Sequence, residues 1–213
     1  MKVIISGTSK GIGRATALEF LSFGHEVYGL DILPSSINHD NYHHYIADVR
    51  GKLPDIDNVD IIVCNAGVQN EEEAIDVNLK GAINVAEKYI NENIKAALFV
   101  ASSSARNGAE FPLYSASKGG LVTYMKNYAL RLAKYGAICN SISPGGVKTS
   151  LNEHIISSEE LYEKVLNETL LHRWSEPEEM AKWIYFLCVV NKSMTGEDVL
   201  IDNGEMLKSN FIW

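Results

Sequence analysis

Three features of the sequence predict an α/β fold, a doubly wound parallel sheet with helices on both faces. Short β-branched runs alternate with longer helical patterns along the chain, most of those runs lack polar alternation, and the first run passes through a glycine turn into a helix. A length of 213 residues with 46% hydrophobic content is enough to bury one substantial core. The expectation is therefore a single domain over residues 1–213, and no internal repeat or low-complexity linker divides it.

The strands expected are KVIIS (2–6), EVYGL (26–30), DIIVC (60–64), AALFVA (96–101), AICNSIS (137–143) and DVLID (198–202). Helical patterns lie between them at about 12–23, 74–93, 113–134, 158–171 and 177–189. Two helix starts fit capping-box spacing: Ser157 with Glu160, and Ser175 with Glu178 around Pro177.

Composition excludes several classes of function. A formal charge of −8 and a pI near 5.3 argue against binding to a phosphate backbone, because such affinity rests on clustered lysine and arginine. MKVII leads straight into a glycine turn rather than a signal-peptide core, and no apolar run reaches bilayer-spanning length. Cys64, Cys139 and Cys188 are odd in number and set in apolar runs, which fits reduced thiols in the core. A cytoplasmic protein with neither a nucleic-acid nor a membrane partner is expected.

ISGTSKGIGRATALEF runs from a strand through Gly7, Gly11 and Gly13 into an amphipathic helix. A turn this tight needs glycine where φ is positive or where the backbone approaches a ligand, and the helix start offers free N–H groups to a pyrophosphate. Asp31 ends the second strand about 20 residues after the middle glycine, where a carboxylate can hold the ribose hydroxyls of a dinucleotide.

In EFPLYSASKGG, Tyr114 and Lys118 stand at i and i+4, so they share one helix face. The strand ALFVA ends in Ser102, Ser103 and Ser104, and NSISPGGVKT carries a Pro-Gly-Gly bend after another strand. CNAG (64–67) ends DIIVC in a polar turn. These strand ends all fall at the C-terminal edge of the sheet, where open α/β sheets bind ligands.

Taken together, SGTSKGIG, Asp31, ADV (47–49), NAG (65–67), Asn78 in DVNLKG, the serine run, YSASK, PGGVKT and TGEDVLIDNG resemble the short-chain dehydrogenase/reductase family over nearly the whole chain. The resemblance implies a Rossmann fold and hydride transfer between a nicotinamide cofactor and a carbonyl or alcohol substrate. It implies Tyr114 as general acid/base, Lys118 as its electrostatic partner and a ribose ligand, Ser103 as the carbonyl-polarising hydroxyl, and Asn78 as the anchor of a proton-relay water. For the cofactor it implies the turn residues Gly7, Ser9, Lys10, Gly11, Ile12 and Gly13, then Asp31, with Asp48 and Val49 flanking the adenine. Asn65, Ala66 and Gly67 continue that surface, and Pro144, Gly145, Val147 and Thr149 hold the nicotinamide end. NAD is expected in preference to NADP, since Asp31 would repel a 2′-phosphate, although Lys10 sits where NADP-preferring relatives often carry a base. A homodimer or homotetramer is also implied, using the Tyr114 helix and its predecessor, with the apolar NFIW (210–213) as a further surface to cover.

The acid/base role has its own physical basis. A phenol near pKa 10 must move about three units to exchange protons well at neutral pH, which is roughly 4 kcal/mol. One ammonium at about 4 Å in an effective dielectric near 20 is of that size.

The sequence departs from the family pattern in places. Only ten residues separate Ser103 from Tyr114, about two fewer than is usual for the family. Ser102 is therefore the alternative to Ser103. The helices usual after ADV and after NAG are shortened, and DNG (202–204) replaces DGG, a change tolerable because asparagine also adopts positive φ. Residues 150–173 are expected to form a mobile lid, partly apolar through Leu151, Ile155, Ile156, Leu161 and Leu170. His39, His43 and His44 lie in an expected loop without matched partners, so no metal site is read there. EEE (71–73) reads as a solvated helix start.

Two rivals to an oxidoreductase remain. A dinucleotide-sensing regulator without turnover would share the fold but has no need of the Tyr114/Lys118 pair. A sugar-nucleotide epimerase shares that chemistry but usually needs a larger C-terminal substrate domain.

Overall fold

The computed structural model describes residues 1–109 and 111–207. Among them, seven strands form one parallel sheet: β1 (Lys2–Ser6), β2 (Glu26–Asp31), β3 (Tyr42–Ile46), β4 (Ile61–Cys64), β5 (Ala96–Val100), β6 (Ile138–Pro144) and β7 (Asp198–Ile201). Their order is β3-β2-β1-β4-β5-β6-β7. The helices are α1 (Gly11–Ser22), α2 (Glu71–Ala74), α3 (Ala82–Tyr89), α4 (Ser104–Asn107), α5 (Pro112–Leu132), α6 (Glu153–Ile156), α7 (Glu159–Leu166) and α8 (Pro177–Tyr185).

The unalternating strands are buried on both faces, as their composition demands. Val3 and Ile5 of β1, with Ile61 and Val63 of β4, pack on Phe20 of α1 and on Met180 and Ile184 of α8. Ile4, Ile62 and Phe99 point the other way, onto Val85 of α3 and Leu121, Met125 and Tyr128 of α5. Cys64, Cys139 and Cys188 are buried free thiols.

β3 was not expected from the sequence, which placed His43 and His44 in a loop. YHHYI contains one aliphatic residue because it is an edge strand with every side chain at least partly exposed. Its identity comes from backbone pairing to β2, from Val27↔Tyr42 to Asp31↔Ile46. His43 Nε2 meets Glu26 Oε1 at 3.0 Å, so it does have an acidic neighbour, supplied by β2.

The helix expected at 74–93 begins earlier, at Glu71, and ends at Tyr89. Its middle, Ile75–Gly81, is a π-helical turn containing Asn78. Such bulges insert an extra residue into the helix and recur at functional sites. No helix lies between Asp48 and β4, in line with the shortening read there. The helix expected at 158–171 is shorter, α7 ending at Leu166 and giving way to turns, and α6 precedes it.

Both capping positions shift by one residue. Ser157 ends α6, its N–H bonding to Glu153 O at 2.9 Å, so Ser158 caps α7. Pro177 occupies the first turn of α8, and Glu176 with Glu179 forms the capping box. Ser175 instead accepts from Asn203 Nδ2 at 2.9 Å. Asn203 has φ +55°, the conformation that lets DNG stand in for DGG. NFIW lies outside the described residues. Among the described residues, no helix is long and apolar enough to cross a membrane.

Candidate active site

β1 and β4 are neighbours in the sheet although β2 and β3 intervene in the chain, so connections diverge from this point. A crevice opens there at the C-terminal ends of the strands. It holds a cavity of about 740 Å³, within the usual range of ligand sites.

The glycine turn forms one wall. Gly7 (φ +77°) and Gly11 (φ +52°) occupy the left-handed region. Gly13 is required by packing instead: a Cβ there would fall 2.0 Å from Gly7 O and 2.4 Å from Asn65 Nδ2. Asn65 Nδ2 donates to Ser6 O (3.0 Å) and Gly7 O (3.2 Å), and the Asn65 and Ala66 amides donate to Ser6 Oγ. The Asn65 amide group therefore laces the end of β4 to the turn. Lys10, Gly11 and Ile12 face the cavity with Gly7, whereas Ser9 and Gly13 support it from behind.

Asp31 lines the same cavity. Its Oδ2 accepts from Ser9 N at 2.8 Å and its Oδ1 from Leu33 N at 2.9 Å, so two backbone donors fix the carboxylate beside the turn. Asp48 and Val49 form the next part of the wall. Arg50 grips Asp48 through Nε and NH2 (3.0 and 2.7 Å), and these hydrogen bonds hold the carboxyl below the usual range. The composition of this surface fits a dinucleotide: glycines that leave no room for Cβ atoms, a helix start and a fixed strand-end carboxylate.

Tyr114 and Lys118 reach the cavity from the first turns of α5. Lys118 is only 4% exposed, and Nζ donates to Val100 O at 2.9 Å, at the end of β5. Nζ lies 5.7 Å from the Tyr114 ring centroid. Burial pulls the Lys118 pKa down to about 8.

Ser102 and Ser103 both line the cavity. Ser102 Oγ accepts from Ser104 Oγ (2.9 Å) and Ser104 N (3.3 Å). The Ser103 amide is tied to Pro144 O at 2.8 Å, and the Ser103 hydroxyl makes no hydrogen bond to the described residues.

Asn78 does not line the cavity. It is 1% exposed and lies behind it, with Oδ1 accepting from Val68 N (2.7 Å) and Nδ2 donating to Val68 O (2.9 Å) and Ser117 Oγ (3.1 Å). It thereby pins the loop after NAG. A Cβ at Gly67 would stand 3.2 Å from Asn78 Oδ1 and 3.4 Å from Lys118 Nζ, so a side chain there would crowd both atoms.

Pro144, Gly145, Val147 and Thr149 line the opposite wall. Of the apolar residues noted at 150–173, Leu151 and Ile155 enter the cavity, and Ile156, Leu161 and Leu170 do not. Gln69 Nε2 meets Asn152 Oδ1 at 3.3 Å, joining this segment to the loop after β4.

Sequence reasoning missed Arg50, Gln69, Phe111 and Trp174 in the wall. Trp174 lies flat against Gly146, where a Cβ would be 2.1 Å from Nε1. The second glycine of Pro-Gly-Gly was the available signal that a bulky group packs there.

A family model described as "Enoyl-(Acyl carrier protein) reductase" matches residues 37–205. The 3-oxoacyl-(acyl-carrier-protein) reductase of Aquifex aeolicus is 27% identical over 95% of this chain and 86% of its own. The glucose 1-dehydrogenase of Gluconobacter oxydans is 28% identical over 99% and 93%. Among solved structures, a 4-hydroxyisoleucine dehydrogenase mutant complexed with NADH and succinate superposes with a TM-score of 0.86 at 25% identity, covering 99% of this chain and all of the other. An L-rhamnose 1-dehydrogenase of Thermoplasma acidophilum, 28% identical over 96% of this chain and 95% of its own, is named for NADP+, so the relatives divide between the two nicotinamide cofactors. The family match spans most of the sheet and the cavity walls from Asp48 to Glu205, and on that ground the chain belongs to the short-chain dehydrogenase/reductase family.

Proposed function

We propose that this oxidoreductase interconverts a secondary alcohol and a ketone, with NAD(H) as its preferred cofactor and Tyr114 as the general acid/base. The observation that carries the reading is the placement of Lys118 and Tyr114. A buried ammonium beside a phenol opens onto the cavity that also holds the glycine turn and Asp31. A nicotinamide cofactor, held by the glycine turn and Asp31, would supply the hydride chemistry when bound. In ketone reduction Tyr114 Oη gives its proton to the carbonyl oxygen, and in alcohol oxidation it takes the hydroxyl proton. The Lys118 ammonium, 5.7 Å from the ring centroid, favours the phenolate form electrostatically. Ser103, whose hydroxyl is not committed elsewhere, donates to the same substrate oxygen. Asn78 acts through the Gly67–Val68 loop that it holds, and the anchoring of a relay water given to it is reached through that loop.

Asp31 supports the cofactor preference. Two backbone donors already orient its carboxylate, which suits ribose hydroxyls and opposes a 2′-phosphate. Residues 150–173 serve as the substrate lid, with Leu151 and Ile155 inside. The buried, unpaired thiols agree with a reducing cytoplasm. A homodimer or homotetramer through α3 and α5 follows from the family, and Leu130 on α5 is 78% exposed. A monodisperse monomer by light scattering at micromolar concentration would count against that assembly.

The function is tested with a panel of ketones and secondary alcohols, following nicotinamide absorbance with both cofactors. Turnover of at least one pair supports it. A panel without turnover, despite measurable NADH binding, sinks it in favour of a nucleotide-binding role.

A further inference from the structure

α5 carries Tyr114 in its first turn, and that turn starts without a side-chain cap of its own, since Phe111 is the N-cap residue. The backbone donors can be followed one by one. Pro112 has no N–H. The Leu113 N–H donates to Glu71 Oε2 at 3.0 Å, and the Tyr114 N–H donates to Glu71 Oε1 at 3.2 Å. Ser115 N–H makes the first intrahelical bond, to Phe111 O at 2.9 Å. One carboxylate, more than forty residues away in sequence, thus takes both exposed donors of the turn, and its charge suits a helix N-terminus.

Glu71 is itself held in place. Asn70 Oδ1 accepts from Glu72 N at 2.9 Å and caps α2. Glu73 pairs with Arg50 at 2.8 Å, and Arg50 grips Asp48 of the cavity wall. α2 continues into the π-helical turn, where Asn78 makes a second tie to α5 through Ser117. The segment read from sequence as a solvated helix start is therefore a brace: Glu71 and Glu73 are both engaged, and Glu72 alone remains without a side-chain role here.

We propose that Glu71 is a positioning residue for Tyr114, fixing the start of α5 so that the phenol is presented to the substrate oxygen. The proposal rests on the acid/base role given to Tyr114 above. A misplacement of about 1 Å at a reacting group can cost about a hundredfold in rate, and two hydrogen bonds to the N–H groups of Leu113 and Tyr114 constrain that degree of freedom. Lys118 has a separate anchor on Val100 O, so cofactor binding should not depend on Glu71.

The test compares Glu71→Ala and Glu71→Gln with the parent protein by three measurements: amide hydrogen exchange at Leu113 and Tyr114, NADH binding by fluorescence, and kcat on a substrate from the panel. In the alanine variant, exchange at those two amides should quicken at least tenfold while β1 and β5 are unchanged. Its kcat should fall at least tenfold with the NADH Kd within twofold. Glutamine keeps one of the two acceptor oxygens and should recover part of the loss in both exchange and kcat. Unchanged exchange in Glu71→Ala overturns the proposal whether or not a substrate has been found. So does parental kcat in Glu71→Ala, or an equal loss in both variants with weakened NADH binding. A parent protein without turnover would instead remove the acid/base reading, leaving exchange to decide whether Glu71 holds the helix start.

Discussion

Lys118 places its ammonium 5.7 Å from the Tyr114 ring centroid, buried, with a hydrogen bond to Val100 O. That burial costs stability, and the cost depends on pH. The folded pKa is lowered by desolvation from 10.5 to about 8. Between those values the unfolded chain binds more protons than the folded one, so stability rises with pH across the window, by roughly 3 kcal/mol in all. Below about 8 both states are protonated and the full cost is present. Urea unfolding of cofactor-free protein from pH 7.5 to 10, compared with Lys118→Met, isolates this contribution. The parent should gain stability relative to the variant as pH rises; parallel curves would contradict it.

Asp31→Ala should erode the preference for NAD(H), which is expected to be at least about tenfold in kcat/KM, or roughly 1.4 kcal/mol. The substitution removes the repulsion of a 2′-phosphate and also releases Ser9 N and Leu33 N. Efficiency with NAD(H) should therefore fall as selectivity is lost. Equal or better parental efficiency with NADP(H) would show that Lys10 at the cavity rim decides the matter.

Gly13→Ala should weaken NADH binding by tenfold or more, about 1.4 kcal/mol. The added Cβ meets Gly7 O at 2.0 Å, a backbone atom of the turn that cannot yield without moving Gly7. Calorimetric titration reads the effect, and parental affinity would mean that the turn is not part of the nucleotide site.

The architecture was legible where chemistry forces a local pattern. Val3, Ile4 and Ile5, with Ile61, Ile62 and Val63, announce strands buried on both faces, and Gly7 and Gly11 mark the turn that their positive φ requires. Tyr42–Ile46 was not legible, because an edge strand half-exposed on both faces needs no apolar run. The part of the candidate site at the strand ends was visible as buried runs followed by polar turns. Contacts made across the chain were not: Glu71 at the start of α5, Arg50 between Asp48 and Glu73, and Trp174 over Gly146 depend on tertiary placement that no local spacing encodes. Asn78 was found by resemblance, but the π-helical turn that carries it has no signature in IDVNLKG.

The central claim is that Tyr114 moves the proton, and Tyr114→Phe tests it most directly when turnover and NADH binding are measured on the same preparation. The ring remains to fill its place, and only the hydroxyl is lost. Turnover should fall by at least about a hundredfold, the scale of general acid/base catalysis, with the NADH Kd within twofold of the parent. Lys118→Ala, as the paired control, should lose both turnover and affinity, through the missing charge and the loss of the ribose contact proposed for it. Turnover like that of the parent in Tyr114→Phe would contradict the mechanism.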